Sequence, residues 1–293
     1  MDELGPLLKT REVADMLGVS VSTVKRWVDA GEIRGARTVG RHRLVPAAEA
    51  ERFVRERLGG RGKEAPATLP IAQGVDNSLV EALVAALLDG RREPARGLIL
   101  GAHRAGASAT SLGDDLIRPA LLEIGARWRQ SELAIHEERR GTRVIESCLQ
   151  ELIAGAVGRA PAGAPLAMGA APSGDPYSMS GLLIELALVE AGWEVVNLGP
   201  DLPLTSLAQA ARSARARLVW VTANVVADPV RFLLEYSDLS EYSSSVGTAI
   251  IAGGRGLTTE LRSSMGGSVF GDRIAHIEAF ARLLHPQTAR QGG

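Results

Sequence analysis

The alternation of apolar runs with helix-patterned segments in the last third of the chain constrains its fold most strongly. Five short apolar or β-branched runs, PLAMGA, EVVNLG, RLVWVTAN, TAIIAGG and GSVFG, are separated by amphipathic stretches. Strands that alternate with helices build a parallel sheet covered by helices on both faces. Residues 161–288 are therefore predicted to form an α/β domain with a doubly wound, five-stranded parallel sheet, followed by a short tail at 289–293.

The loops at the carboxyl ends of these strands are the predicted place for a ligand, because open parallel sheets bind ligands there. They read PSGDPYSMS, GPDLP, TANVVADP and GGRG. The first of them offers aspartate, tyrosine and serine side chains but no histidine, cysteine or lysine. The sequence thus predicts a polar binding loop without an imidazole, thiol or amine side chain.

The middle of the chain has a different period. Residues 75–160 contain four amphipathic segments broken by glycine and polar turns, which predicts a four-helix bundle. Its unusual features are Trp128 near a helix end and the charged run HEERR at the start of the last helix. Residues 59–74, rich in glycine, proline and alanine, are predicted to be a flexible linker.

Residues 1–58 are predicted to form a helix-turn-helix unit followed by a basic hairpin, a winged arrangement. Thr10 and Ser20 are suitable N-caps for two short helices, and Gly18 and Gly31 are suitable terminators. Side chains of the second helix and the hairpin are suited to phosphates and base edges of duplex DNA. The predicted DNA-binding residues are Ser22, Thr23, Lys25, Arg26, Arg34, Arg37, Arg41, His42 and Arg43.

Charge and composition agree with this division. Residues 1–63 carry four more basic than acidic residues and the remainder carries five fewer, for a net charge of −1, so only the head is expected to bind a polyanion. The chain lacks a membrane-length apolar run and a secretory signal pattern. A single cysteine, Cys148, excludes an internal disulfide framework. A cytoplasmic protein with no membrane partner is expected.

The head resembles the excisionase-like branch of the MerR superfamily. The resemblance covers about residues 6–58 and follows the order helix, GVS, helix, AGEI, basic hairpin with HRL. It implies sequence-specific binding to an operator in double-stranded DNA by a homo-dimer or homo-tetramer.

The bundle and the α/β domain together resemble the cobalamin-binding unit shared by methionine synthase and corrinoid carriers. The segments that carry the resemblance are RPALLEIGARWRQSELAIHEERR, GWEVVNLGPDLP and IIAGGRGL. With the head included, the chain is similar to the light-responsive cobalamin-dependent repressors of carotenoid synthesis. That resemblance implies a sensory module in which adenosylcobalamin assembles DNA-binding tetramers and light breaks them apart.

The cobalt-binding motif of that family is altered in this chain. The family has Asp-x-His-x-x-Gly after the first strand, where the histidine ligates cobalt, the aspartate orients it and the glycine lets the nucleotide tail pass. Here Asp175 fits, but Tyr177 stands at the histidine position and Ser180 at the glycine position. A hard phenolate suits cobalt of a corrinoid poorly.

The remaining family positions are also partly altered. The Ser-x-Leu element appears as Thr222-Ala223-Asn224, whereas the pair Gly253-Gly254 is intact. In the bundle, Trp128 and Glu138 fit the family's Trp…Glu-His motif. Arginines occupy both cap positions at which the photosensory relatives have histidine, namely Arg129 and Arg139. The predicted ligand-binding residues are therefore Trp128, Glu138, Asp175, Tyr177, Ser180, Thr222, Gly253 and Gly254.

These residues leave three regulatory functions open, and an enzyme or corrinoid carrier is the weakest alternative because the sequence shows no catalytic module. The first is a DNA-binding regulator whose cobalamin-binding-like module senses another small-molecule effector or none, because the substitutions argue against His-ligated cobalamin. The second is an adenosylcobalamin-dependent light-sensing repressor without a protein lower ligand. The third is a haem- or bilin-sensing regulator, for which His103, His136 and Tyr177 are the available axial residues. No nucleophile triad or nucleotide loop indicates an enzyme, and no metal site is predicted.

Overall fold

The structure is a computed structural model that describes residues 7–10, 13–14, 21–37, 43–46, 49, 75, 77–129, 134–156, 158 and 160–285. Most of the first predicted helix of the head, the linker at 59–74 and the tail at 289–293 lie outside these residues. The division into domains at the predicted boundaries therefore stays a prediction.

The described part of the head contains a helix with defined bounds, further helical residues at 10, 13–14 and 49, and a small antiparallel sheet. The elements are β1 (Leu7–Lys9), α1 (Val21–Asp29), β2 (Ala36–Arg37) and β3 (Arg43–Pro46), with strand order β1-β3-β2. Pairing of β2 with β3 confirms the predicted hairpin. Strand β1 was not predicted, because three residues are too few to show alternation. The core of the head consists of Val13, Ala14, Val24, Trp27, Ile33 and Val45.

The bundle confirms the four predicted helical segments. They are α2 (Asn77–Leu88), α3 (Arg92–Arg104), a composite third segment and α6 (Ile135–Ala156). The third segment consists of α4 (Ala109–Ser111), a π-helical stretch at Leu112–Ile117 and α5 (Arg118–Arg129). A π-helical stretch has no distinct sequence period, so the pattern predicted an ordinary helix there. In the part of the chain that the structure describes, no helix has the length and apolarity to cross a bilayer.

The α/β domain confirms the predicted five-stranded parallel sheet. Its elements are β4 (Leu166–Ala170), α7 (Met179–Glu190), β5 (Glu194–Asn197), α8 (Leu204–Ala214), β6 (Leu218–Thr222), α9 (Pro229–Val246), β7 (Ala249–Gly253), α10 (Thr259–Ser264), β8 (Ser268–Phe270) and α11 (Ile274–Leu284). The strand order is β5-β4-β6-β7-β8, and every pairing is parallel. One apolar core lies between the sheet and α7 and α11, and a second lies between the sheet and α8 and α9.

Carboxylates that accept hydrogen bonds from backbone N–H groups join the bundle to the α/β domain. The buried carboxylate of Asp114, in the π-helical stretch, accepts from the backbone N–H groups of Ile274 (3.1 Å) and Ala275 (3.0 Å). Asp114 thus caps the N-terminus of α11 from another element, where a negative charge is favoured. Glu190 accepts from the N–H of Ala109 at 2.8 Å. These contacts join the third bundle segment to α7 and α11, and α6 packs against α7.

Candidate nucleic-acid interface and ligand site

Helix α1 presents a polar face to solvent. Its hydrophobic residues Val24 and Trp27 are buried, whereas Ser22 and Lys25 are exposed, as the helical period predicted. Thr23 belongs to α1 and Arg37 to β2, but only their backbones are described. Arg41 and His42 lie outside the described residues.

Two arginines of the hairpin segment, Arg34 and Arg43, have partners within the head. Arg43 donates to both carboxylate oxygens of Asp29, at 2.9 and 2.6 Å, and this pairing raises the pKa of Arg43. Arg43 therefore ties the hairpin to the end of α1. The side chain of Arg34 is 79% exposed, while its backbone N–H donates to Glu49 at 2.8 Å.

Arg26 has a different environment from the other predicted DNA-binding residues. Its Nη1 donates to the backbone carbonyl of Arg262 at 3.0 Å, and its Cζ lies 4.7 Å from the ring centre of Phe270. Both partners belong to the α/β domain. Burial is the main cause that lowers the pKa of Arg26. The sequence predicted that this side chain faces DNA, and no sequence signal indicated a partner in α10 or β8.

Asp175 is the centre of the hydrogen-bond network in the first binding loop. It is 0% exposed, and its Oδ1 accepts from the N–H of Tyr177 at 3.0 Å. Its Oδ2 accepts from the N–H groups of Asn224 (2.5 Å) and Val225 (3.2 Å) in the loop after β6. Its backbone carbonyl accepts from the N–H of Asp201, in the loop after β5. Asp175 thus joins three loops at the carboxyl edge of the sheet.

Tyr177 lies at the mouth of this loop. Its ring is 45% exposed, and the guanidinium carbon of Arg255 lies 5.3 Å from the ring centre. Arg255 belongs to the GGRG loop and was not singled out from the sequence, because a single exposed arginine in a loop carries no distinctive signal. Ser180 is half-buried, and its hydroxyl lies 3.5 Å from the side-chain nitrogen of Asn224. The structure therefore brings Tyr177, Ser180 and the loops after β6 and β7 together.

Neighbouring backbone atoms leave no room for a side chain at Gly253 or Gly254. A Cβ at Gly253 would lie 2.0 Å from the carbonyl oxygen of Gly271, and one at Gly254 would lie 2.4 Å from that of Ala223. Gly254 also has φ +115°, which disfavours other residues. Thr222, the last residue of β6, is buried beside this junction. The pair is explained by loop packing whether or not a ligand binds.

The end of α5 and the first half of α6, together called the cap, carry the predicted ligand-binding residues Trp128 and Glu138. Ser178, in the first binding loop, donates to Glu146 near the middle of α6. Glu138 lies eight residues earlier on α6, about 12 Å along the helix axis. Trp128, at the end of α5, is 46% exposed. The first half of α6 therefore extends beyond the binding loops.

Four exposed apolar side chains belong to the end of α5, the start of α6 or the loops after β4 and β5. They are Trp128 (46%), Ile135 (60%), Tyr177 (45%) and Leu198 (38%).

The layer between the sheet and α7 is filled by an indole. Trp220, in β6, is fully buried, and a Cβ on Gly169 of the neighbouring strand would lie 2.1 Å from its ring. The indole N–H of Trp220 has no hydrogen-bond partner among the described residues. A nucleotide tail that passed Ser180 into this layer would meet the ring.

The structure separates the candidate histidines. His103 pairs with Glu190 at 2.9 Å, and Glu190 is the last residue of α7. Because α7 begins at the binding loops, His103 lies about 17 Å from them, at the opposite edge of the sheet. His136 is exposed in the first turn of α6. Among the described residues, no group of three or more His, Cys, Asp or Glu side chains is arranged to hold a metal ion.

A concavity lies where the strand order changes direction between β4 and β6. It has a volume of about 170 Å³ and is lined by Pro172, Ser173, Gly174, Val226, Ala227, Asp228, Arg231, Phe232 and Glu235. Its charged groups pair with one another, since Arg231 donates to Glu235 at 2.7 Å. The other charged group of its lining, Asp228, accepts from the backbone N–H of Arg231 at 3.0 Å.

Comparisons with known proteins agree with this architecture. The profile of a helix-turn-helix domain matches residues 7–58, and that of a B12 binding domain matches residues 79–153, within the bundle. No curated protein matches the chain. The monomethylamine corrinoid protein of Methanosarcina barkeri aligns with a TM-score of 0.57 and 15% identity over 72% of this chain and 99% of that chain.

Two further solved structures align less closely. A cobalamin-binding protein of Desulfitobacterium hafniense has a TM-score of 0.38 and 15% identity over 71% of this chain and 98% of that chain. The methanol:cobalamin methyltransferase complex of Methanosarcina barkeri has a TM-score of 0.36 and 17% identity over 73% and 82%. The two profile matches and the alignment with the monomethylamine corrinoid protein show a helix-turn-helix domain followed by a B12 binding domain in a corrinoid-protein fold.

Proposed function

We propose that the protein is a DNA-binding transcription regulator whose corrinoid-type module is a sensory and oligomerisation unit, rather than an enzyme. The observation that carries this proposal is the fusion of a helix-turn-helix domain, with Ser22 and Lys25 exposed on α1, to that module. The regulator binds an operator as a homo-dimer or homo-tetramer, since paired half-sites require paired recognition helices.

The module does not hold cobalamin through a protein imidazole. Three contacts support this part of the proposal. The carboxylate of Asp175 accepts from three backbone amides, Tyr177 stacks with Arg255, and Trp220 fills the layer behind the loops. The effector is instead a small molecule with an apolar face, bound between the cap and the loops, and the exposed side chains of Trp128, Ile135, Tyr177 and Leu198 favour such a ligand.

A second candidate is a regulator that binds adenosylcobalamin without a protein lower ligand. The match of the B12 binding domain includes Trp128 and Glu138, the cap residues that would contact the upper side of a corrinoid. A haem sensor receives less support, because His103 is at the far edge of the sheet and cannot act together with Tyr177.

DNA binding is tested with the purified full chain and genomic fragments in gel-shift titrations at several salt concentrations. We expect sequence-selective binding that weakens steeply with salt, because lysine and arginine contacts to phosphates release counterions. Failure to select any fragment at low salt would contradict the regulator proposal.

The ligand is tested by the absorption spectrum and mass of whatever co-purifies, and by titration with hydroxocobalamin. We expect no corrinoid spectrum and no saturable binding at micromolar concentration. Tyr177→His, which restores an imidazole, is the matched variant. If the wild-type chain binds hydroxocobalamin as tightly as Tyr177→His, the module is a cobalamin binder that needs no protein imidazole, and the second candidate replaces the first.

A further inference from the structure

One side chain of the predicted DNA-recognition face, Arg26, contacts the α/β domain. Arg26 lies one turn after Ser22 and directly after Lys25 on α1, so the three share the polar side of that helix. Ser22 and Lys25 are exposed, but the guanidinium of Arg26 is partly buried against α10 and β8. The recognition face therefore rests on the α/β domain at this point.

The receiving surface is built and held in place by its own hydrogen bonds. The guanidinium carbon of Arg262 lies 5.3 Å from the ring centre of Phe270, the same ring that Arg26 approaches to 4.7 Å. Arg262 is anchored by Asp272 at 3.1 and 2.5 Å and by the carbonyl of Leu257 at 3.0 Å. Its backbone carbonyl is thereby fixed as the acceptor for Arg26.

The position of this surface explains why it is available for a helix. β8 is the last strand in the sheet order, and it pairs with β7 on one side only among the described residues. Exposed sheet edges are commonly covered by another element. Here α1 contacts the edge through Arg26, whose partner Phe270 is the last residue of β8.

We infer that the α/β domain holds the regulator off DNA by binding its recognition helix at the α10–β8 surface. This inference rests on the proposed DNA-binding function. A major groove about 12 Å wide admits a helix but not a helix with a domain attached to its recognition face. The head must therefore detach from Phe270 and Arg262 before α1 can read base pairs.

The contact at Arg26 is polar, so another acceptor can replace it. Arg26 makes one hydrogen bond to a carbonyl and one cation–π contact, and the two arginines that share the ring repel each other. The positive charge of Arg262 adds to burial in lowering the pKa of Arg26. DNA phosphates offer Arg26 a partner of opposite charge, so operator binding competes directly with docking.

The test uses the full chain carrying Phe270→Leu, which keeps an apolar side chain in β8 but removes the ring. The matched control is Phe232→Leu. Phe232 is a buried phenylalanine of the same core, and among the described residues its ring stacks on Tyr236 rather than on an arginine. We expect Phe270→Leu to bind DNA about 3- to 30-fold more tightly than wild type at fixed salt, and Phe232→Leu to bind as wild type. Equal affinity of the two variants would overturn the inference.

Amide hydrogen exchange provides a readout that does not require DNA. In free Phe270→Leu, peptides covering α1 and α10 should exchange faster than in the wild-type chain, because α1 no longer rests on this surface. Unchanged exchange in α1 would refute docking. If no DNA fragment binds to any variant but exchange in α1 rises in Phe270→Leu alone, docking stands and the DNA-binding proposal fails.

Discussion

The recognition helix and the carboxyl edge of the sheet each place a charged side chain where the sequence predicts a ligand, but the two charges are held differently. Arg26 is partly buried against a carbonyl and a ring of another domain. Asp175 is fully buried, and its partners are backbone amides of the loops it belongs to. A charge at a contact between separable surfaces remains available to a ligand, whereas a charge bonded to its own loops is part of the fold.

The largest expected effect therefore comes from Asp175→Ala, which leaves three backbone N–H groups without their acceptor. We expect the free energy of unfolding to fall by about 3 kcal/mol or more in urea titrations. Asp228→Ala is the control, because Asp228 is an exposed N-cap of α9 whose loss should cost about 1 kcal/mol. Similar losses in both variants would show that Asp175 is no more than a cap.

The next effect concerns DNA affinity. Lys25 is exposed on α1, and Lys25→Ala should weaken operator binding roughly eightfold at 0.1 M salt and reduce the slope of log K against log salt by about 0.9. Lys25→Arg should preserve the slope. An unchanged slope in Lys25→Ala would show that Lys25 does not contact a DNA phosphate.

Two arginines of the head are expected to matter for different reasons. Arg43→Ala breaks the pair with Asp29, so we expect weaker operator binding together with a loss of hairpin order seen in hydrogen exchange of β3. Arg26→Ala removes a phosphate contact and the docking contact together, so it should weaken binding less than Lys25→Ala does. Quantitative gel shifts on the three variants give this ranking, and the reverse order for Arg26 and Lys25 would contradict it.

A smaller effect is expected from Glu185, on α7. Burial raises the pKa of Glu185 above 4.5, although a hydrogen bond from Asn197 partly opposes this. Because the pKa is higher in the folded than in the unfolded state, the contribution of Glu185 to stability is present at low pH and is lost as pH rises above 4.5. Glu185→Gln should raise Tm at pH 7 by about 2 °C and by less at pH 4. Glu194→Gln, at an exposed position, should leave Tm unchanged.

The smallest effect is expected from Cys148. Burial raises the pKa of its thiol to about 11, so almost no thiolate exists at neutral pH. Iodoacetamide should label Cys148 in urea but not in the native chain, as measured by intact mass. Rapid native labelling would show that the bundle opens.

Much of the fold could be predicted from the local pattern. The five strands, the hairpin and the four bundle segments follow from periodicity and from glycine and N-cap positions. The π-helical stretch could not be predicted, since it keeps the hydrophobic pattern of a helix.

The candidate site was predicted less completely than the fold. The sequence identified the binding loops, the tyrosine at the histidine position and the glycine pair. It did not reveal that Arg255 stacks on Tyr177, or that Trp220 fills the layer beside Gly169. These contacts join segments far apart in the chain, and residue type alone does not specify which side chains meet.

The recognition helix with Arg26 and the binding loop with Asp175 show which features follow from the sequence and which from the tertiary structure. Periodicity, caps and residue chemistry establish the helices and strands, their order in a parallel sheet and the absence of an imidazole from the first binding loop. The partners of the charges come from folding: Arg26 meets a carbonyl 236 residues away, and Asp175 meets amides 49 and 50 residues away. A charged residue needs a partner when it is buried, and only the packed chain selects that partner.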